Sequence, residues 1–425
     1  MLIKNAHVVD VIDDYTTQCD VFIKDGIVED IGERLCYEAE QIIDANGLIV
    51  MPGFVDMHCH LRQPGFENKE TVASGTKAAA RGGYTTICCM PNTKPVIDNQ
   101  ESLSLLMDII KEDAVVNVLP IAAISINQKS EELTDMVKLK SLGAVAFSDD
   151  GQPVSNNELM ISALKVAKEH DLLLIDHCED KSLVNGGIIN QGKKSEELGL
   201  LGISNLTEEQ PIARDAMLAK EAGYKIHIAH VSTEGSADII RKAKAQGTKV
   251  TCEVTPHHLA LSEDIIKQGY TDCKVNPPLR TTKDIEALKL ALKDGTIDAI
   301  ATDHAPHHQD EKGNDFYKAP FGISGIETSF SVCYTELVET GLLSLKELSA
   351  KMSQNPSNIL GINGGKLTVG AVADIAIVDL NKTVIINKND FYSKGKNTPF
   401  HGRSYKGEVV YTIVNGQIVY KKGEK

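Results

Sequence analysis

Short runs dense in β-branched and apolar residues alternate with longer stretches in which apolar residues recur three and four positions apart, from about residue 50 to residue 303. The strand-like runs are 54–58, 84–90, 117–124, 144–148, 172–177, 225–230, 249–253 and 297–302. Between them lie amphipathic helices such as Asn157–Lys168 and Pro211–Lys220. Such alternation builds parallel βα units. Gly82, Gly143, Gly223, Gly247 and Gly295 each follow a helical stretch and precede a strand, where a left-handed helix-ending residue is expected. Eight units in roughly 250 residues is the size of a closed barrel; an open doubly wound sheet usually has fewer strands and a glycine-rich phosphate turn, which this sequence lacks. The predicted fold class is therefore α/β, a (β/α)8 TIM barrel over residues 52–364.

The two ends are patterned differently. Residues 1–51 and 365–425 consist of short alternating segments punctuated by the hairpin dipeptides Asp25-Gly26, Asn46-Gly47 and Asn415-Gly416. Neither end is long enough to bury much alone, so the two are expected to combine into one small β-sandwich beside the barrel.

Composition narrows the function classes. With 44 basic and 59 acidic residues among 425, the net charge of −15 offers no broad phosphate-neutralising surface, so nucleic acid is not an expected partner. The longest apolar stretches, such as 48–54, are far shorter than the ~20 residues of a bilayer span, and no secretory signal is visible at the start, so a cytoplasmic location is expected. Nine scattered cysteines without a metal-knuckle spacing read mostly as reduced, buried thiols.

In a barrel of this kind reactive groups gather at the carboxyl ends of the strands. His58-Cys59-His60 ends the first strand, and alternation puts the two imidazoles on one face and Cys59 on the other. Asp149-Asp150 ends the fourth, His177 the fifth, His230 the sixth and Asp303 the eighth. Any one of these alone would be a hydrogen-bonded core residue or a helix cap, but independent caps have no reason to choose the same end of five strands. His7, His170 and His401 are ordinary, and alternation turns His227 away from His230. Imidazole and carboxylate without thiolate suit Zn²⁺, with Mn²⁺, Co²⁺ or Fe²⁺ as substitutes. Six ligands exceed the three of a single catalytic zinc but suffice for two ions sharing a bridge, which points to metal-assisted hydrolysis or its reverse. Alternation does not choose between Asp149 and Asp150 as that bridge.

Asp56-Met57-His58-Cys59-His60-Leu61-Arg62 resembles the first signature of dihydroorotases in the amidohydrolase superfamily, and Ala301-Thr302-Asp303-His304-Ala305-Pro306-His307, with Lys312 five residues on, resembles the second. The resemblance covers essentially the whole chain and is nearest to the bacterial class I enzymes. It implies His58, His60, Asp150 and Asp303 around one zinc and Asp150, His177 and His230 around the other. Asp150 is then the bridge, matching the family's Asp-Asp-Gly element. Many relatives use a carbamylated lysine there, but Lys138 and Lys140 precede the strand. The implied reaction is the reversible cyclisation of N-carbamoyl-L-aspartate to (S)-dihydroorotate plus water in de novo pyrimidine (UMP) synthesis, with Asp303 as the catalytic proton carrier. Arg62, on the face of His60, can present a bidentate fork to the substrate carboxylate. The resemblance adds His60, Asn92 and His307 as further substrate contacts, and Asn276 with the Phe321-Gly322 backbone as contacts to the ring. It also implies a homodimer and association with aspartate transcarbamoylase. Residues 305–322 are polar with few apolar anchors and are expected to form a mobile lid. The rival readings are another cyclic-amide hydrolase, a hydantoinase or allantoinase, disfavoured because a neutral ring gives Arg62 nothing to pair with, and a non-catalytic scaffold, disfavoured because every ligand position is filled.

Overall fold

A computed structural model describes residues 1–9 and 14–424; residues 10–13 of the N-terminal β segment and Lys425 of the C-terminal one lie outside the described residues. The chain opens with strands β1 (Leu2–Val9), β2 (Asp14–Lys24), β3 (Ile27–Gly32), β4 (Ile42–Asp44) and β5 (Ile49–Pro52). The barrel strands begin with β6 (Phe54–Cys59), β7 (Tyr84–Cys89), β8 (Asn117–Ala122), β9 (Ala146–Phe147) and β10 (Ile175–Asp176). A small parallel pair, β11 (Ile189–Asn190) and β12 (Gly202–Ile203), is inserted before β13 (Ile226–Ile228), β14 (Val250–Val254) and β15 (Ala299–Ile300). The chain closes with β16 (Ile375–Ile385), β17 (Ser404–Val414) and β18 (Gln417–Lys421).

The barrel is a ring of two four-stranded parallel runs, β6-β7-β8-β9 and β10-β13-β14-β15. Parallel bridges Phe147↔Leu174 and Cys59↔His304 join their edges, and the His60 amide donates to the His304 carbonyl at 2.9 Å across the second seam. Alternate residues face inward, where Val55, Met57, Cys88, Ile121, Ile175, Ala229 and Ala301 fill the ring. Their neighbours Ile87, Ile226, Ile228, Cys252 and Ile300 face outward and pack under helix residues such as Ala78, Leu103, Ala163 and Ile212. Burial of both faces is why these strands read as nearly continuous apolar runs.

Two expectations about helix ends change in the structure. The helix expected from Pro211 starts at Leu206 and runs to Ala222; the Thr207 carbonyl, which a proline four residues on leaves without its helical donor, accepts from the Asp180 amide at 2.8 Å. Gly143, Gly223, Gly247 and Gly295 have positive φ as expected, but Gly82 stays right-handed at φ −77° and Gly83 makes the left-handed turn at +87°.

The ends combine into one β unit. Its sheet runs β18-β17-β16-β5-β1-β2-β3, with β4 on β1, and Ile3, Val8, Val21, Ile43 and Val50 share a core with Ile375, Ile377 and Ile413. Asp25-Gly26 and Asn415-Gly416 are tight hairpins with both residues left-handed. Asn46-Gly47 is not a hairpin. It is a turn between β4 and β5, closed by Leu48 N donating to Ala45 O at 2.9 Å, and both strands continue along one edge of β1 in parallel. The nine cysteines are unpaired, and all but Cys36 are buried.

Candidate metal centre

Four imidazoles and two carboxylates meet at the carboxyl end of the ring, none of them more than 6% exposed. His58 Nε2 lies 3.3 Å from Asp150 Oδ1 and 3.4 Å from Asp303 Oδ1, and His60 Nε2 lies 3.0 Å from Asp303 Oδ1 and 3.6 Å from Asp150 Oδ2. On the other side His177 Nδ1 and His230 Nε2 stand 3.6 and 3.9 Å from Asp150 Oδ1, and 2.8 Å from each other. Every one of the four histidines thus reaches Asp150.

Asp149 is committed elsewhere: its Oδ1 accepts from the Ile124 and Ser125 amides at 2.8 and 3.1 Å, and its other oxygen accepts from the Ser125 hydroxyl. Asp150 is the residue left facing the cluster. The expectation for His227 is corrected. It points into the barrel with Ala229, and His230 would face outward with Ile228 but for a left-handed backbone (φ +33°) that swings it inward too. Both histidines therefore lie inside the ring, with His227 beneath the cluster against Glu253.

The residues present fit divalent metal ions. His58 Nε2 and His177 Nε2 are buried without a hydrogen-bond partner. Two imidazole nitrogens at 2.8 Å, each with a carboxylate oxygen within 4 Å, need a proton or a cation between them. Burial lowers the proton affinity of His58, but Asp150 and Asp303 outweigh it and raise that affinity well above the ordinary value. Burial and the neighbouring His177 and His58 push His230 down to about 3. The Asp303 carboxyl is held well down: burial opposes its ionisation, but His58 and His60 prevail. Nitrogen and oxygen donors of this kind, without thiolate, are those of hydrolytic zinc sites.

Around these groups is a supporting layer, part of which sequence reasoning missed. Glu253, fully buried on β14, holds His58 Nδ1 at 3.0 Å and His227 Nε2 at 3.2 Å. The available signal was an acid at the inward position ending the one late strand that supplies no ligand. Glu179, which shares a face with His177 by alternation, lies 3.7 Å from His177 Nε2 and accepts from Asn276 Nδ2 at 2.7 Å. Asn92 bridges the two halves, its Oδ1 at 3.0 Å from His60 Nδ1 and its Nδ2 donating to Asp150 Oδ2 at 3.1 Å.

The expected substrate contacts fall into two groups. Asn92 sits against His60 and Asp150 and Asn276 reaches the cluster through Glu179, whereas Arg62, His307 and Phe321-Gly322 form a wall beside it. Arg62 Nε donates to the Pro306 carbonyl at 3.2 Å, and its Nη2 is 3.4 Å from His307 Nε2. That ring nitrogen donates to the Phe321 carbonyl at 2.8 Å while Nδ1 faces Lys69 Nζ at 3.4 Å, so the imidazole is neutral and the contact with Arg62 is not a hydrogen bond. Burial, then the cations Arg62 and Lys312, hold His307 far below the ordinary imidazole range. Among the described residues no carboxylate pairs with Arg62. The segment 305–322 covers this wall, and it is not the sparsely anchored loop expected: Ala305, Phe316 and Ala319 are buried, and two buried lysines tie it down.

A dihydro-orotase-like family model matches residues 47–236. The chain is 52% identical over 425 residues to a dihydroorotase of Thermoanaerobacter sp. (strain X514), covering 100% of this chain and 98% of that one. It is 50% identical over 422 residues to a dihydroorotase of Acetivibrio thermocellus, covering 99% of each. Among solved structures it resembles the L-hydantoinase (dihydropyrimidinase) from Arthrobacter aurescens, with a TM-score of 0.90 at 28% identity over 100% of this chain and 96% of that one. It also resembles a dihydropyrimidinase from Brevibacillus agri, with a TM-score of 0.88 at 25% identity over 100% and 95% of the respective chains.

Proposed function

The chain belongs to the dihydroorotase family, and from that premise we propose that it interconverts N-carbamoyl-L-aspartate and (S)-dihydroorotate plus water, the cyclisation step of de novo pyrimidine synthesis. The observation that carries the substrate assignment is Arg62. A half-buried guanidinium with no carboxylate partner among the described residues, beside a cluster suited to amide chemistry, calls for an acidic cyclic amide rather than a neutral one.

In this reading His58, His60, Asp150 and Asp303 hold one Zn²⁺, and Asp150, His177 and His230 hold a second. Bound divalent ions supply water activation and carbonyl polarisation. The chain supplies the rest. Arg62 grips the α-carboxylate and fixes the ring amide over the cluster, with His307 and the Phe321-Gly322 backbone bordering the same space. Asn92 and Asn276 contact the substrate from the histidine side. Asp303, kept ionised by His58 and His60, accepts the water proton in hydrolysis and delivers it to the leaving ring nitrogen. In cyclisation it takes that proton from the ureido nitrogen as the nitrogen closes on the carbon of the protonated side-chain carboxyl, and returns it to the departing hydroxyl, which leaves as water. A homodimer in the cytoplasm, able to associate with aspartate transcarbamoylase, completes the proposal.

The deciding experiment compares turnover of dihydroorotate, hydantoin and allantoin by the purified metal-loaded chain, alongside the Arg62→Met variant and a metal count. Dihydroorotate should be the substrate, with about two metal ions per chain. Arg62→Met should raise KM for it about 10- to 100-fold, the loss of a charge-assisted pair. Hydrolysis of hydantoin or allantoin with dihydroorotate untouched refutes the assignment.

A further inference from the structure

Lys274 and Lys312 are each only 3% exposed, and neither pairs with a carboxylate among the described residues. An ammonium in the interior without a counterion is costly unless other acceptors surround it. Here the acceptors are backbone carbonyls. Lys312 Nζ donates to Thr271 O, Lys274 O and Pro320 O at 3.1, 3.0 and 2.9 Å. Lys274 Nζ donates to Phe316 O and Ala319 O at 2.5 and 2.6 Å and stands 4.3 Å from the centre of the Phe321 ring. Four of these five bonds stitch the segment 271–274 to the cover at 312–319, and the fifth holds the cover's own Pro320. The Thr271 hydroxyl reaches the Lys312 and Gly313 carbonyls at 2.6 and 2.8 Å, and the Gly322 amide donates to Lys274 O at 2.9 Å, extending the seam. Burial lowers Lys312 to about 7 and Lys274 to about 8, so drawing these ammonium groups out of water carries a cost that the carbonyls offset only in part.

The two ends of this fastened stretch are the wall at Arg62. His307 lies just before it and Phe321-Gly322 just after, and the His307 Nε2–Phe321 O bond of 2.8 Å closes one against the other. We propose that Lys274 and Lys312 are positioning residues for carboxylate recognition, a pair of buried ammonium clasps that hold the cover so that His307 and the Phe321-Gly322 backbone stand at Arg62. Lysine suits the task because its tetrahedral ammonium aims three donors in three directions: Lys312 spends all three on carbonyls, and Lys274 spends two on carbonyls and faces the Phe321 ring. The inference rests on the proposed acidic substrate.

The test uses the metal-loaded enzyme and the variants Lys312→Met, Lys274→Met and Thr271→Val. Each is read by amide hydrogen exchange, by metal content, and by separate kcat and KM for dihydroorotate. Both lysine variants should exchange faster by about tenfold or more over 309–320 with barrel strands and metal content unchanged, and should raise KM by about tenfold or more with kcat within about threefold. Thr271→Val, which leaves both ammonium groups in place, should shift exchange and KM in the same direction by less, and decides the matter if a lysine variant fails to fold. Unchanged KM and local exchange, or faster exchange throughout the barrel with kcat falling alongside, overturns the proposal. A wild-type chain inert on dihydroorotate overturns the functional reading first and the carboxylate role with it, while exchange over 309–320 still reports separately on the clasp.

Discussion

Replacing Glu253 removes the carboxylate that orients His58 while leaving all six proposed ligands in place. A carboxylate only accepts, so His58 must carry a proton on Nδ1, 3.0 Å from Glu253 Oε1, which leaves Nε2, on the side of Asp150 and Asp303, as the nitrogen that would meet a metal ion. Glu253 Oε2 is fixed in turn by His227 Nε2 at 3.2 Å, whose Nδ1 meets the Thr251 hydroxyl at 2.8 Å. Glu253→Gln can still accept from His58 and donate to the other tautomer of His227, so it loses charge but not geometry. Glu253→Ala strands two buried N–H donors, each costing about 1–3 kcal/mol, and frees the imidazole to turn. Loss of such outer partners typically weakens metal binding about 10- to 100-fold, so Gln should sit near the lower figure and Ala near the upper. Competition against a chromophoric zinc chelator measures this directly. A folded Glu253→Ala protein that binds metal as tightly as wild type refutes the reasoning.

The same group has a pH signature in the metal-free protein. Burial pushes the Glu253 carboxyl up, but hydrogen bonds from His227 and His58 outweigh it and hold the group at about 2, against an ordinary 4.5. The folded state therefore binds this proton more weakly than the unfolded chain, and its stabilisation is present above pH 4.5 and lost as pH falls from there toward 2. Between pH 6 and 4 that amounts to about 1 kcal/mol from this residue. Urea midpoints of the chelated protein should fall more steeply over that range for wild type than for Glu253→Gln, and equal slopes contradict the assignment.

Asp303→Asn should keep the fold and lose about 10³-fold or more of turnover in both directions, measured by following dihydroorotate formation and consumption; near-normal rates remove Asp303 from proton transfer. Gly322→Ala places a methyl 2.6 Å from the Ala305 carbonyl and 3.0 Å from His307 Nε2 at φ +144°, so it should raise KM for dihydroorotate several-fold without altering metal content, and an unchanged KM dissociates this wall from substrate binding.

The barrel was legible in the sequence because its strands are buried on both faces and its helices on one, and those two periods differ. The clustering of the proposed ligands was legible because His58 and His60 repeat at the strand period and the remaining candidates end separate strands. Alternation left Asp149 and Asp150 open and only the family resemblance favoured Asp150; what occupies Asp149, the Ser125 loop, is a contact made across 24 residues of separation. Glu253 was hidden for a related reason: one acid in an apolar strand has no periodic signal, and its partners come from two other strands. Lys312 stood out only as part of the second signature and Lys274 not at all, and their anchoring contacts were hidden because an apolar count treats both as solvated, whereas most of the carbonyls that bury them come from segments about 40 residues away.

Backbone conformation at the strand ends is what periodicity leaves out. Arg62, His230 and Asp303 have φ of +62°, +33° and +43°, a region that costs non-glycine residues about 1 kcal/mol or more each. Such turns persist only where surrounding bonds fix them, and Asp56 does so at the barrel seam. Its carboxylate accepts from the Thr302 amide at 2.9 Å and the Thr302 hydroxyl at 2.5 Å, and from the His58 amide at 3.3 Å. The Thr302 hydroxyl oxygen then receives the His304 amide at 3.0 Å, so the residues on both sides of Asp303 are held. Burial lifts Asp56 to about 6, a cost borne at the floor of the site in exchange for a rim whose side chains converge. The acid that opens the first signature thus works as a brace rather than a ligand. The approach of Asp303 to His58 and His60 depends on that brace.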